Sequence, residues 1–226
     1  MKTKIRKQLF VLLILAIFVG CTQNLFSPSR ASTNTEVKTV LSPEREAAAF
    51  GVYRVRSGDT FYELFGPDWK KVALINRISP SALRPGMKLT VPVKPKAIQD
   101  YRCPFPKTSD RGVKFLVYLE EQALGVYNDQ GDLQKWYAIS SGRKGHSTPT
   151  GFFRISRKDK NHRSKTYPKP DGGTPMPYAL NFYADYWIHV GKLPGRPDSH
   201  GCIRLMEDDA REIFRDTQVG DLIFIE

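Results

Sequence analysis

Cysteine is scarce in this sequence, with three residues among 226, an odd number that is too small for a disulfide-stapled scaffold. Acidic residues are also a minority, 23 against 35 lysines and arginines, which gives a net charge of +12. No RNP aromatics, recognition-helix pattern or zinc-finger spacing accompanies this positive charge, which argues against nucleic acid as a partner. We therefore expect another anionic partner, such as an acidic cell-wall polymer.

No apolar run is long enough to span a bilayer, which takes about 20 residues. The longest, Phe10 to Val19, follows a basic start made of Lys2, Lys4, Arg6 and Lys7. This pattern is typical of a secretory signal, so residues 1–20 are predicted to be a signal peptide and the protein to be exported. Loss of these four basic residues leaves a mature chain of charge +8.

The segment Phe18-Val19-Gly20-Cys21 resembles a bacterial lipobox, with Phe18 in place of the usual Leu. The resemblance implies that Cys21 is lipidated and anchors the protein to a membrane. Ordinary signal cleavage nearby is the alternative. Thr22, a residue other than Asp, resembles the outer-membrane sorting pattern of a two-membrane bacterium. We expect a periplasmic or cell-envelope location.

Two segments have the composition of connections between domains. Residues 21–52 are predicted to be a flexible tether, with a short helix starting near Ser42-Pro43-Glu44. Residues 93–112 carry several prolines and basic residues and are predicted to be a linker. Cys103 lies there and is expected to remain a free thiol.

A small module is predicted at residues 53–92, with the element order strand, helix, helix, strand. Tyr53 to Arg56 alternates apolar and polar residues as a half-buried strand does. Ser57 to Thr60 is a turn that offers helix N-caps, and Pro85-Gly86 turns the chain into a closing strand.

Three patterns in this module resemble the LysM family: Tyr-x-Val-x-x-Gly-Asp-Thr, Leu-Ile-Asn and Leu-x-Pro-Gly-x-x-Leu-x-Val-Pro. The resemblance implies binding to N-acetylglucosamine-containing glycans such as peptidoglycan. A structural module that binds nothing is the alternative. Phe61-Tyr62 stands where many members have Leu-Trp, which keeps the aromatic bulk.

Residues 113–226 contain many short strand patterns and one helix pattern at Glu207–Arg215, which predicts a mostly-β domain. A hairpin is expected around the turn Asn128-Asp129-Gln130-Gly131. The predicted fold class is therefore a multi-domain α+β chain, with a small β-α-α-β module followed by a mostly-β domain.

Two segments of this domain hold residues suited to nucleophilic catalysis. One carries His189, and the other is Ser199-His200-Gly201-Cys202-Ile203-Arg204. A nearby imidazole can take the proton of a cysteine thiol, and a glycine before the nucleophile permits a tight turn with converging N–H groups. Zinc bound by His189, His200 and Cys202 is the competing hypothesis, but no paired ligand spacing supports it.

The whole constellation resembles the L,D-transpeptidase (YkuD) family. His189 precedes the Ser-His-Gly-Cys-Ile-Arg motif by nine intervening residues. Upstream, Ser140-Ser141-Gly142, Thr148-Pro149-Thr150-Gly151 and Met176-Pro177-Tyr178 resemble further segments of the family. The spacer after His189 is shorter than in many members, and Val190 replaces the usual small residue.

The resemblance implies a role for each matching residue. Cys202 is the nucleophile, and His189 is the general base, its other ring nitrogen held by a backbone carbonyl. The backbone of His200, Gly201 and Cys202 shapes an oxyanion hole. Supporting or substrate-binding residues are Ser199, Arg204, Met176 and Tyr178. His146 and His162 match no catalytic position and are predicted to be surface residues.

The implied reaction is acyl transfer through a thioester, without metal or cofactor. Cys202 attacks the L,D bond after the third residue of a tetrapeptide stem, expels D-Ala and passes the acyl group to an amine. The alternatives are an L,D-carboxypeptidase or endopeptidase of the same fold, and a non-catalytic wall-binding lipoprotein. Which acceptor is used stays open at this point.

Overall fold

The computed structural model describes residues 49–94, 98, 101–166 and 172–226. The predicted signal peptide, Cys21 and most of the predicted tether, with its short helix, lie outside the described residues. Within those ranges, no helix combines the length and the apolar character needed to cross a membrane.

The N-terminal module has the strand, helix, helix, strand order expected from the sequence. Its elements are β1 (Phe50–Arg54), α1 (Phe61–Phe65), α2 (Trp69–Asn76) and β2 (Lys88–Pro92), with 3₁₀ turns at Gly66–Asp68 and Pro80–Ala82. The two strands pair antiparallel, with Phe50 opposite Pro92. Because of this pairing, β1 begins three residues before the start expected at residue 53.

Local sequence explains how the first helix of this module begins. The Thr60 hydroxyl accepts a hydrogen bond from the Glu63 amide at 3.2 Å, as an N-cap residue does. The Thr60 hydroxyl also donates to the Glu63 carboxylate at 2.8 Å. Phe61 at the start of the helix packs into a buried cluster with Val72, Ala73 and Leu89. The predicted N-cap turn is therefore confirmed.

In the residues that the structure describes, the C-terminal domain consists of two β-sheets and one helix. One sheet has the order β5-β4-β3-β11-β6, and the other has the order β10-β9-β8-β7. The elements are β3 (Phe115–Tyr118), β4 (Ala123–Tyr127), β5 (Leu133–Ala138), β6 (Gly151–Arg154), β7 (Arg157–Asp159), β8 (Ala179–Tyr183), β9 (Tyr186–Val190), β10 (Ile203–Leu205), α3 (Glu207–Asp216) and β11 (Leu222–Ile225). The mostly-β prediction is confirmed.

The core of this domain is formed by side chains from both sheets and from the helix. Phe115, Leu124 and Ile223 come from the five-stranded sheet, and Ile188 comes from the four-stranded sheet. Helix α3 adds Ile213 to the same buried cluster. This packing holds β9 and β10 against a rigid support, and these two strands carry the candidate catalytic segments.

Three strands of the four-stranded sheet are absent from the sequence-based prediction. Strand β7 is a short polar segment, and β8 is buried along almost its whole length, so neither shows the alternation of a half-buried strand. Strand β10 has only three residues and follows directly on the Cys202 turn.

The segment predicted to be a linker is packed where the structure describes it. Ile98 and Tyr101 contact the core of the N-terminal module, while Phe105 lies in a buried cluster of the C-terminal domain. The amide of Leu133 donates to the Lys107 carbonyl at 2.7 Å. Apolar anchors between the prolines therefore turn this segment into a bridge between two cores. Among the described residues, Cys103 forms no disulfide bond.

The N-terminal module is attached to the loop that joins the two candidate catalytic segments. The Ser79 amide donates to the Leu193 carbonyl at 2.9 Å, and the Leu193 amide donates to the Ser79 hydroxyl at 3.1 Å. The Gly195 amide donates to the Arg77 carbonyl at 3.0 Å. Leu193 is fully buried. The spacer between His189 and Ser199 is thus fixed at its middle by the neighbouring module.

Candidate active site

Parallel pairing of β9 and β10 brings the two candidate catalytic segments together. Arg204 lies opposite His189, and Ile203 lies opposite Ile188. Cys202 is the residue immediately before β10, at the end of a turn formed by Ser199, His200 and Gly201. The Cys202 thiol lies 3.9 Å from the carbonyl oxygen of Asp185, in the turn that precedes β9.

Ser199 and Gly201 give the turn before Cys202 its shape. The buried Ser199 hydroxyl donates to the Cys202 carbonyl at 2.6 Å and accepts from the Gly201 amide at 2.9 Å. Gly201 has a φ of 111°, and a Cβ there would lie 2.3 Å from the Tyr186 ring. Only glycine fits this position, so the tight turn expected from the sequence depends on it.

His189 is buried and its Nδ1 lies 2.7 Å from the carbonyl oxygen of Val190. The expectation of a backbone carbonyl partner is therefore confirmed. This contact assigns the proton to Nδ1 and leaves the Nε2 lone pair able to accept a proton. Burial, together with the nearby Arg204 and His162, lowers the pKa of His189 to about 4. The imidazole is neutral at pH 7.

The Cys202 side chain packs against Met176, Ala179 and Trp187. Burial raises the pKa of the Cys202 thiol, and the backbone of Trp187 and the charge of Arg204 offset this only in part. The site therefore holds a neutral thiol and a neutral imidazole at rest. A thiolate has to form by proton transfer during the reaction.

The low pKa of His189 predicts a loss of stability in acid. Between pH 6.5 and pH 4 the unfolded chain takes up a proton on this residue while the folded chain does not, so stability falls by about 3 kcal/mol. Burial raises the pKa of Asp209 to about 6. The folded chain takes up this proton before the unfolded chain does, so Asp209 stabilises the fold as the pH falls below about 6 and opposes the effect of His189. The free energy of unfolding in urea should therefore be measured at pH 7 and pH 4.5 for the parent and for His189→Gln. The variant should lose less stability; equal losses would contradict the prediction.

Thr148, for which the sequence predicted no role, lies against the turn that precedes Cys202. The Thr148 hydroxyl donates to the Gly201 carbonyl at 2.9 Å and accepts from the Gly142 amide at 2.9 Å. Thr148 is buried. Thr148 is the first residue of the Thr-Pro-Thr-Gly segment, and this segment is the sequence feature from which its importance could have been predicted.

Met176 and Tyr178 occupy different surroundings. Met176 is buried beside Cys202 and Trp187, so it supports the Cys202 side chain. Tyr178 packs against helix α3, where Arg211 donates to its hydroxyl at 3.2 Å and its ring meets Phe214. Tyr178 therefore contacts helix α3 and not the Cys202 side chain.

Arg204 is committed to the turn. Its guanidinium donates to the Asp198 carboxylate at 3.2 Å. Its side chain also covers Gly191, where a Cβ would come within 2.6 Å of it. Of the two roles expected for Arg204, turn support and substrate binding, the geometry favours turn support.

The two remaining histidines differ from each other. His162 is not the surface residue predicted from the sequence, because its ring stacks on Trp187 at 4.0 Å and its side chain is only 13 % exposed. His146 is exposed as predicted, and its ring lies edge-on to His200 at 4.7 Å. Among the described residues, no three His, Cys, Asp or Glu side chains are placed to hold a metal ion.

Two family models match the sequence. The L,D-transpeptidase catalytic domain (YkuD) matches residues 113–225, which is half of the chain. The LysM domain matches residues 53–92. A search of curated proteins finds no significant match.

Solved structures of several L,D-transpeptidases resemble the chain. One from Xylanimonas cellulosilytica is 18% identical, with a TM-score of 0.52 over 69% of this chain and 79% of that chain. One from Stackebrandtia nassauensis is 21% identical, with a TM-score of 0.48 over 59% of this chain and 67% of that chain. At these identities the likeness concerns the fold.

The two domain matches place the protein in the cell envelope, where LysM domains bind peptidoglycan and YkuD domains act on its stem peptides. The YkuD and LysM resemblances drawn from the sequence are confirmed at the level of the family. The chain therefore belongs to the family of L,D-transpeptidase catalytic domains, a family of cysteine acyltransferases that act on peptidoglycan.

Proposed function

We propose that Cys202 and His189 transfer the acyl group of a tetrapeptide stem to an amine acceptor, which cross-links or modifies the wall. The observation that carries this is a buried, neutral His189 whose Nδ1 is held by the Val190 carbonyl, on the strand paired with the one that follows Cys202. A protonated cysteine must lose its proton before it can act as a nucleophile, and the free Nε2 of His189 on that strand can accept this proton.

The reaction has two halves. In the first, His189 Nε2 takes the thiol proton while the sulfur attacks the carbonyl carbon of the third stem residue. The C–N bond then breaks, D-Ala leaves with the proton from His189, and a thioester remains. In the second, an amine attacks the thioester, His189 removes its proton, and the thiol is restored. No net redox change occurs.

The turn supplies a donor for the oxyanion that forms in each half. The Gly201 amide is occupied by the Ser199 hydroxyl. The Cys202 amide has no hydrogen-bond acceptor in the described part of the chain. We therefore assign an oxyanion donor to Cys202 and a supporting role to Gly201, Ser199 and Arg204. The Gly201 amide is thereby removed from the three amides expected to shape the oxyanion hole.

Product analysis by mass spectrometry tests the proposed reaction. The purified protein is incubated with a disaccharide-tetrapeptide, with and without an added amine acceptor such as a D-amino acid. Cross-linked dimers that lack one D-Ala, or the amine adduct, support the transpeptidase. Tripeptide as the sole product in both reactions would overturn it in favour of a carboxypeptidase.

We also infer that the chain is held at the wall from two sides, by a lipid on Cys21 and by the LysM domain at residues 53–92. Residues 21–52 would connect the anchor to the LysM domain, with the catalytic domain following from residue 113. The basic mature chain suits an anionic wall. A Cys21→Ser variant should leave the membrane fraction, and outer-membrane placement should follow from fractionation of a two-membrane host. Retention of the variant would overturn the anchor.

A further inference from the structure

A loop of basic character, residues 142–148, lies against the nucleophile turn. Gly142 forms a parallel bridge with Ser199, and the Arg143 amide donates to the Ser199 carbonyl at 3.0 Å. The loop closes on itself, because the His146 amide donates to the Arg143 carbonyl at 2.8 Å. At its far end Thr148 is bonded to Gly201. We call this segment the basic loop; its backbone is fixed to the turn at both ends.

Arg143 points its guanidinium at the turn. Nη2 of Arg143 lies 2.6 Å from Nε2 of His200, the residue two before Cys202. Because arginine can only donate, we assign His200 as the acceptor, with its proton on Nδ1. His146 adds a second imidazole at 4.7 Å from the His200 ring. Arg143 and His200 are half-buried and His146 is exposed, so a substrate can reach them.

The two arginines near the nucleophile differ in their partners. Arg204 is paired with Asp198 at 3.2 Å. Arg143 is paired with no carboxylate in the described ranges, and its side chain is hydrogen-bonded to a ring nitrogen of His200. A guanidinium has five N–H donors in a planar fork that suits a carboxylate. Arg143 therefore has donors left over at the rim of the site.

The substrate of the proposed reaction carries a carboxylate that must lie close to the nucleophile. In a tetrapeptide stem the leaving D-Ala is the last residue, so its carboxylate carbon is three bonds from the attacked carbon. Bond lengths keep the two carbons within about 4 Å of each other in any conformation. Whichever group binds this carboxylate has to stand beside the Cys202 turn.

We propose that Arg143, assisted by His200 and His146, binds the terminal carboxylate of the leaving D-Ala and so selects donor stems that end at the fourth residue. A pentapeptide stem has an amide at that position and presents no charge to Arg143. This inference rests on the proposed function, since it concerns how the same site recognises the terminal carboxylate of the donor stem.

Donors with and without the charge test the proposal. A disaccharide-tetrapeptide ending in D-Ala is compared with the same compound ending in D-alaninamide, in the parent and in Arg143→Gln. We expect the parent to lose about 10- to 100-fold in kcat/KM on the amide donor, the range for a hydrogen bond to a charged group. Arg143→Gln should lose a similar factor on the acid donor and almost nothing more on the amide donor.

Lys144→Gln is the matched control, because it removes the same charge from the next position of the basic loop. It should lower kcat/KM less than about threefold, and by the same factor for both donors. Arg143→Lys keeps the charge without the planar fork and should recover part of the preference for the acid. Equal losses of Arg143→Gln on both donors would overturn the proposal. So would a loss that appears only when the acceptor carries a carboxylate, since this would move the contact to the acceptor.

Binding in a Cys202→Ala background separates this proposal from the proposed function, because it requires no chemistry. Calorimetry should give a dissociation constant about tenfold lower for the acid donor than for the amide, and Arg143→Gln should remove this difference. A difference that persists in Arg143→Gln would overturn the carboxylate contact. Absence of turnover in the parent, with the binding difference intact, would instead overturn the proposed reaction alone.

Discussion

Replacement of Cys202 by alanine is expected to lower turnover of stem peptides by at least about 10⁴-fold, because the candidate site then has no thiol on which a thioester can form. The reaction products and the intact protein should both be measured by mass spectrometry. The parent should show an acyl adduct on the protein, and Cys202→Ala should show neither adduct nor product. Persistent turnover in this variant would exclude Cys202 as the nucleophile.

Cys103 provides the matched control for this experiment. It is also a free thiol, half-buried, and burial raises its pKa as it does for Cys202. Its packing against Phe105 and its neighbours lies in a different cluster from the candidate site. Cys103→Ala should therefore keep its turnover within a few-fold. Both variants should still sediment with insoluble peptidoglycan, since the LysM domain is unchanged in each.

The candidate catalytic residues could be predicted from the sequence because their chemistry depends on short local patterns. The glycine before Cys202 and the serine two residues earlier specify one tight turn, and the structure shows that turn. The position of His189 relative to that turn depends on the parallel pairing of β9 with β10. This pairing joins residues about 15 apart and is set by the packing of the sheets. The spacing between His189 and the Cys202 motif is therefore compatible with the pairing but does not determine it.

Burial overrides composition at two places, and at one of them, His162, the prediction was wrong. His162 is a polar residue in a segment with many charged residues, yet its ring stacks on the buried Trp187. The segment at 93–112 has the prolines and basic residues of a spacer, but Ile98 and Phe105 anchor it to two different cores. Composition averages over a segment, whereas a single apolar anchor decides its packing.

Arg143 shows a second limit of sequence analysis. It is one of several basic residues in a loop, and nothing in its spacing separates it from Lys144. The structure separates them by the Arg143 contacts to Ser199 and His200. The same comparison assigns Arg204 to the turn through Asp198. The two arginines near Cys202 thus differ in what they can still bind.

Replacement of His189 by glutamine is expected to lower kcat/KM by about 10²- to 10⁴-fold, because the thiol then has no base to take its proton. The parent should lose activity in acid near pH 4, where His189 becomes protonated, instead of near its ordinary value of 6.5. The measurement is the initial rate of D-Ala release from a tetrapeptide stem between pH 3.5 and pH 8. His162→Gln, which replaces the histidine that stacks on Trp187, should stay within about threefold of the parent.

Alkylation of Cys202 by iodoacetamide shows whether the resting pair is neutral, as the environment of both residues requires. Burial disfavours the thiolate at Cys202 and the imidazolium at His189 alike, and it outweighs the neighbouring groups that favour either charge. The alkylation rate of the parent should therefore keep rising from pH 7 to pH 9, as for a thiol of raised pKa. In His189→Gln the rate should rise over the same range, because the thiol proton is then lost only to solvent. A plateau below pH 7 in the parent would instead mean that a thiolate and an imidazolium are already formed at rest, and His189 would then act as the acid that protonates D-Ala from the start of the reaction.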